Sequence, residues 1–218
     1  MRLSVFILIY LFLTVCGTQG KGRERISFNR NWRFALTEKQ ADASAPGTDD
    51  SNWRILDLPH DWSIESDFSL DNPATPGGGA LPGGTGWYRK HFKLPESDKG
   101  KVIYIDFDGV YRNSEVWLNG HLLGFRPNGY VSFRYDLTPY LNYGKKENVL
   151  VVRADNSEQP NSRWYSGSGI YRNVWLVKTG QVHVDNWGTN ITTPVINADK
   201  STVEIETTLK NDASDVTV

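Results

Sequence analysis

Asn119-Gly120 separates two short runs, Ser114 to Leu118 and His121 to Phe125, in which apolar and polar residues alternate. The tightest hairpin turns need positive φ at both central positions, which Asn and Gly tolerate and most residues do not. The pair therefore commits the middle of the chain to antiparallel strands. The same pattern recurs on either side. Trp87 to Leu94 alternates and stops at Pro95. Lys101 to Phe107 sets Ile103, Ile105 and Phe107 on one side, with Val102, Tyr104 and Asp106 on the other. Ile26 to Phe28, Trp32 to Leu36, Trp53 to Leu58, Val131 to Tyr135 and Asn148 to Ala154 also read as strands. No run sustains the 3.6-residue period of a helix. Asp136-Leu137-Thr138-Pro139 is predicted to open a single helical turn, capped by Asp136 or Thr138. The expected fold is all-β, a jelly-roll β-sandwich from about Ile26 to Val177.

Two long connections interrupt these strands. Thr37 to Asn52 is polar and reads as a surface loop. So does Asp71 to Gly86, which is rich in Gly and Pro. The latter is not a phosphate loop: GKS and GKT are absent, Pro82 takes the place of the last Gly of a GxGxxG, and a strand follows. Thr179-Gly180 marks a boundary. Beyond it, Gln181 to Trp187 and Thr202 to Leu209 alternate, joined by a polar loop through Pro194 and Asp199. Val216 to Val218 starts a further strand. This resembles the start of an immunoglobulin-like sandwich, which needs about seven strands and about 100 residues. Too few residues follow Gly180, so an incomplete domain over 181–218 is expected after the sandwich domain at 21–180.

The first twenty residues read as a leader. Met1-Arg2 precedes an almost wholly apolar run, Leu3 to Val15, with small residues at Gly17 and Gly20. That is the layout of a signal peptide cleaved after Gly17 or Gly20, giving a secreted or periplasmic protein with no membrane span after its removal. A membrane anchor and a lipid attached at Cys16, within a loose lipobox, are the competing readings. Loss of Cys16 with the leader would leave no thiol for disulfides or metal. With 24 basic against 25 acidic side chains, nothing favours nucleic acid or an anionic membrane. The four histidines are dispersed, with no metal-ligand spacing. Ser168 lies between glycines rather than in a GxSxG, so neither a metal, a cofactor nor a serine nucleophile is expected.

Chemistry concentrates in Asn161 to Trp175, NSRWYSGSGIYRNVW. Arg163, Trp164, Tyr165, Tyr171 and Arg172 surround a short turn, Ser166-Gly167-Ser168-Gly169. Sugar C–H faces lie against such rings, and sugar hydroxyls pair with guanidinium, hydroxyl and main-chain groups. An ordinary aromatic turn before a core strand, Ile170 to Trp175, is the alternative. Eight Trp and ten Tyr suit carbohydrate binding without proving it.

The order GWYRKHF, VIYIDFDGVYRNSEVWLNGHLLGF, YVSFRYDLTPYL, NVLVVRADNS and RWYSGSGIYRNVWL resembles the N-terminal sugar-binding domain of glycoside hydrolase family 2, and most of all that of secreted bacterial β-galactosidases, in which LPHDWSIE also recurs. β-Glucuronidases and β-mannosidases share this front end. The resemblance implies a galactose-binding-like jelly roll, a carbohydrate partner (a β-galactoside or related glycoside) and room for a homo-oligomer in the full-length parent. It also implies that the two catalytic glutamates lie on a barrel beyond this chain, so no catalytic residue is assigned here. Family members reach the sugar with the loop that follows the strand matching Val149 to Arg153. Its matching residues are Asp155 or Asn156, between which the match does not choose, and then Arg163, Trp164, Tyr165 and Ser166. Asp61, with Trp62, is a second candidate, against the alternative that Asp61 caps local backbone. The pair Asp106 and Asp108 reads as a solvated or salt-bridged strand face.

Overall fold

The computed structural model describes residues 22–37 and 43–213. The leader, Cys16 and the strand expected from Val216 lie outside the described residues. Two compact units are formed, one spanning Arg25–Lys178 and the other from Thr179 onward with the residues before Arg25. Among the described residues twelve strands run along the chain. They are β1 (Glu24–Ser27), β2 (Trp32–Leu36), β3 (Arg54–Leu56), β4 (Gly84–Phe92), β5 (Val102–Phe107), β6 (Ser114–Leu118), β7 (His121–Arg126), β8 (Phe133–Asp136), β9 (Asn148–Asn156), β10 (Val174–Thr179), β11 (Val182–Ile196) and β12 (Ser201–Asn211). No α-helix occurs among the described residues, and none has a helix long and apolar enough to cross a membrane.

The first unit is a β-sandwich. One sheet runs β1-β10-β5-β8, the other β3-β2-β4-β9-β6-β7. Strand alternation decides what enters the space between them. Ile103, Ile105 and Phe107 of β5 face Tyr88 of β4, Val116 of β6 and Leu150 of β9 in one buried core, which also takes in Trp32. Each such aliphatic or aromatic side chain contributes about 1.5–3 kcal/mol by leaving water. Val102 and Tyr104 pack outside β5 with Val177. Asp106 lies on that outer side, where Arg134 grips it in a fork at 2.6 and 2.8 Å.

Asn119 has φ 52° and Gly120 φ 85°, as the hairpin requires. Asn119 also ties the turn to its surroundings. Its amide donates to Tyr140 O at 2.7 Å and accepts from Val149 N–H at 2.9 Å. The helical turn is 3-10, Thr138–Tyr140, and the Asp136 carboxylate takes the Thr138 N–H at 2.8 Å.

The stretch 37–52, expected as a surface loop, is partly interior. Trp87 and Arg89 point to the outer side of the six-stranded sheet, where Trp87 stacks on Trp117 and Arg89 is 0% exposed. Residues 43–50 close over them. Arg89 donates to Asp50 Oδ2 at 2.7 Å, Ala45 O at 2.9 Å and Pro46 O at 3.1 Å. A guanidinium shut away from water needs acceptors for its fixed N–H donors, and the loop supplies one carboxylate and the carbonyls of Ala43, Ala45 and Pro46.

The second unit carries one antiparallel ladder, β11 with β12. Its first strand does not stop near Trp187 or loop out at Pro194, as the sequence suggested. It continues to Ile196, and only residues 197–200 turn. The register shifts between Thr192 and Val195, so the missing Pro194 N–H falls in a bulge rather than in the ladder.

Candidate functional site

Two segments far apart in sequence lie side by side at one end of the sandwich. His60 N–H donates to Ile170 O at 2.9 Å and Trp62 N–H to Ser168 O at 3.2 Å. Asp61 lies between these bonds and closes the join. Its Oδ1 accepts the N–H groups of Ser168 at 2.9 Å and Ser63 at 3.0 Å. Its Oδ2 accepts the Tyr165 hydroxyl. Gly167 makes this approach possible, since a Cβ there would come within 2.6 Å of Asp61 Oδ2.

Beneath this surface runs a buried polar relay. Asn156 Nδ2 donates to Ser168 Oγ at 2.8 Å. Ser63 Oγ lies 2.7 Å from both Ser168 Oγ and Pro82 O. Each hydroxyl has one proton, so Ser168 donates to Ser63 and Ser63 to Pro82. Asn156 Oδ1 accepts from Gln159 at 3.0 Å and Asn161 at 2.7 Å. Trp62, also buried, donates its indole N–H to Gly83 O at 3.1 Å and stacks on Phe34. Behind it His60 Nδ1 meets the Tyr88 hydroxyl at 2.8 Å, and Arg54 binds Glu65 at 2.8 Å beside His60. Burial lowers the pKa of His60 against the pull of Glu65, which favours the neutral ring.

The seven residues singled out in the sequence divide accordingly. Asn156 is 1% exposed, with its amide spent inside the relay. Asp155 is half-buried. Desolvation opposes its charge, but the Ser157 hydroxyl and N–H, together with Arg153 and Thr85, hold its carboxyl below the usual range. Its oxygens accept from Ser157 Oγ at 2.6 Å and Arg153 at 2.7 Å. These two side chains are turned into the protein. Asp61 and Tyr165 come together, and the half-buried Ser166 has its Oγ 3.2 Å from Asn161 Oδ1. Tyr165 is 43% exposed. Partial burial and the neighbouring Asp61 carboxylate push its phenol far up, so it remains a donor. Arg163 is exposed and forms no hydrogen bond or ion pair among the described residues.

Trp164, 61% exposed, turns the other way and donates its indole N–H to the Tyr130 hydroxyl at 3.1 Å. Nothing in the sequence singles out Tyr130, which sits in YVSFRYD as one alternating residue among several. Ser63 and Ser168 were visible only as members of LPHDWS and SGSGI. Among the described residues no cluster of three or more His, Cys, Asp or Glu could hold a metal ion.

With this geometry in view, the comparisons with known proteins converge. Residues 26–180 match the profile described as glycosyl hydrolases family 2, sugar binding domain. The chain is 59% identical over 191 residues to the β-galactosidase BoGH2A of Bacteroides ovatus, covering 88% of this chain and 22% of that protein. It is 31% identical over 211 residues to a β-glucuronidase of Formosa agariphila, covering 87% and 21%. Among solved structures, a β-glycosidase from Bacteroides vulgatus superposes with a TM-score of 0.83 at 43% identity, covering 88% of this chain and 25% of that one. The chain thus spans about a fifth to a quarter of the length of these relatives.

Proposed function

Because this chain belongs to family 2 of the glycosyl hydrolases by its sugar binding domain, we propose that it is the N-terminal carbohydrate-binding portion of a β-galactosidase-like enzyme. The full-length form hydrolyses O-glycosyl bonds, and 181–218 begin its immunoglobulin-like domain. Residues 1–20 export it to the periplasm or beyond the cell. The observation that carries the reading is the Asp61–Tyr165 join. It fixes the loop against the sandwich yet leaves Arg163, Trp164 and Tyr165 exposed and Ser166 half-buried. Asp61, Arg163, Trp164, Tyr165 and Ser166 form one wall of a sugar pocket. Asp155 and Asn156 serve that wall from behind, by shaping the loop. The 59% relative is a β-galactosidase, which favours a galactoside over a glucuronide.

Retaining glycoside hydrolysis needs two carboxyl groups about 5–5.5 Å apart across the scissile bond. Asp61 is already committed to two N–H groups and a phenol, and the reading assigns both catalytic carboxyls to the barrel of the full-length form, as the family resemblance implies. The test sets the purified chain beside the parent enzyme on chromogenic β-galactoside, β-glucuronide and β-mannoside. The parent turns over the galactoside fastest, and the chain alone turns over none. Turnover by the chain alone, or a parent inert on all three, would refute the reading.

A further inference from the structure

Three of the seven Trp in the first unit are buried outright (Trp32, Trp62 and Trp87), and Trp53, Trp117 and Trp175 pack against buried clusters. Trp164 is the exception. Tyr130, 54% exposed, is its partner, and each sits on a braced loop. Tyr171 donates to Gly129 O at 2.8 Å and Asn128 caps the Tyr130 N–H at 2.8 Å, so Tyr130 is held at its base. Tyr111 meets Tyr130 edge to face, with ring centroids 5.3 Å apart. Ser162 donates to Trp164 O at 2.6 Å, which fixes the main chain beneath the indole. The Trp164 N–H is spent on Tyr130, while the Tyr130 hydroxyl keeps its own proton for an outside acceptor. What remains is two aromatic surfaces with one donor at their rim. That complements a pyranose ring, with its apolar C–H face and hydroxyls at the edge.

The neighbouring residue gives the direction. Trp164 and Tyr165 are adjacent, so their Cα atoms lie about 3.8 Å apart. Tyr165 nevertheless reaches Asp61 and the loop at Gly79, while Trp164 reaches the loop at Tyr130. The chain thus divides one surface into two adjoining places. We propose that Trp164 and Tyr130 form a platform for a second pyranose ring of an oligosaccharide, next to the ring that Tyr165 and Asp61 face. This rests on the sugar-contact reading of the loop and narrows the substrate class to glycosides of two or more rings.

The experiment is a titration of the isotope-labelled full chain with methyl β-galactoside, which has one ring, and with lactose, which has two. It follows the Trp164 indole N–H and the Ser166 main-chain N–H by NMR. Lactose moves both signals, whereas methyl β-galactoside moves Ser166 alone. Trp164→Ala weakens lactose about threefold to tenfold, and weakens methyl β-galactoside less. Tyr130→Phe keeps the ring but removes the rim donor and the indole's acceptor. It gives a smaller loss of the same kind and serves if the alanine variant misfolds. Lactose that moves Ser166 but not the indole leaves the sugar-contact reading standing and overturns the platform. No movement of either signal with either sugar overturns both. An indole signal that shifts with protein concentration alone marks a protein contact and also overturns the platform.

Discussion

Asp50 and Asp61 both hold a loop against the sandwich, and they do it by opposite means. Asp50 meets a fully buried guanidinium at 2.7 Å, and the half-buried His91 Nε2 at 2.7 Å and Arg33 at 3.1 Å. Asp61 meets two main-chain N–H groups and a phenol, with no cation bonded to it. The first arrangement buries the Asp50 carboxylate with the Arg89 guanidinium and leaves only parts of Arg33 and His91 in reach of solvent. The second is made of neutral donors near the surface, so the loop is fixed while its aromatic and cationic side chains stay available. A buried ion pair is costly to break from one side, because the partner stays desolvated. A hydrogen-bonded latch costs less to break, and water or a ligand replaces part of what is lost. The closed region supplies stability, and the open one is where the proposed sugar contact would form.

Removing charge from the closed region gives the largest effect. Arg89→Met takes from Asp50 its buried cation, leaving it His91 and Arg33, and empties the carbonyls of Ala45 and Pro46, costing about 3–5 kcal/mol in urea unfolding. A loss under 1 kcal/mol would show that the loop is held by apolar packing instead. Next comes the relay under the open region. Asn156→Ala leaves Ser168, Gln159 and Asn161 each short of a partner and destabilises by about 1–3 kcal/mol. Full stability with lost sugar binding would mean that Asn156 faces the ligand after all.

Acid probes the same contrast. Desolvation alone would raise the Asp50 pKa, but hydrogen bonds and charge from His91 and Arg89 outweigh it and hold the carboxyl below its usual 3.8. A folded-state pKa below the unfolded one gives stability that is complete above the unfolded value and lost as pH falls through the folded one. Unfolding midpoints should therefore drop below about pH 3.8, and Asp50→Asn should flatten part of that slope. An unchanged slope would assign acid sensitivity to Asp98 and Asp155, whose carboxyls are also held low. The smallest change in stability belongs to Tyr165→Phe, under about 1 kcal/mol, because the Asp61 acceptor is left near water. In the parent enzyme the same variant lowers kcat/KM, since the loop loses its latch. Wild-type kinetics would make Tyr165 a bystander.

Much of the frame was legible because it depends on local rules. Trp32 to Leu36 carries its alternation in five residues, and Asn119-Gly120 carries its turn in two. Where distant partners decide, the sequence was silent. A run such as Ala43 to Asp50 looks polar and solvated until Arg89, about forty residues on, needs its carbonyls. Pro194 looked like a loop because nothing local reveals a bulge opposite β12. At the candidate site, motif order singled out Asp61 and Arg163 to Ser166. It did not reveal that Asn156 faces inward, since an amide in a strand reads alike on either side. Nor did it pair Trp164 with Tyr130, which is 34 residues away.

The join at Asp61 also sets a timetable. Its bonds to Tyr165 and Ser168 span 104 and 107 residues, and the Ser63–Ser168 link spans 105. Contacts of such separation are expensive to close early, and folds rich in them form slowly. A chain leaving the ribosome N-terminus first presents LPHDWS long before its counterpart exists. Until Ser168 emerges, Asp61 has neither that N–H nor the Tyr165 phenol, and the buried hydroxyls have no chain to complete. The loop at 161–169 is therefore among the last parts of the sandwich to take shape, after the hairpin at Asn119 has had time to form by itself.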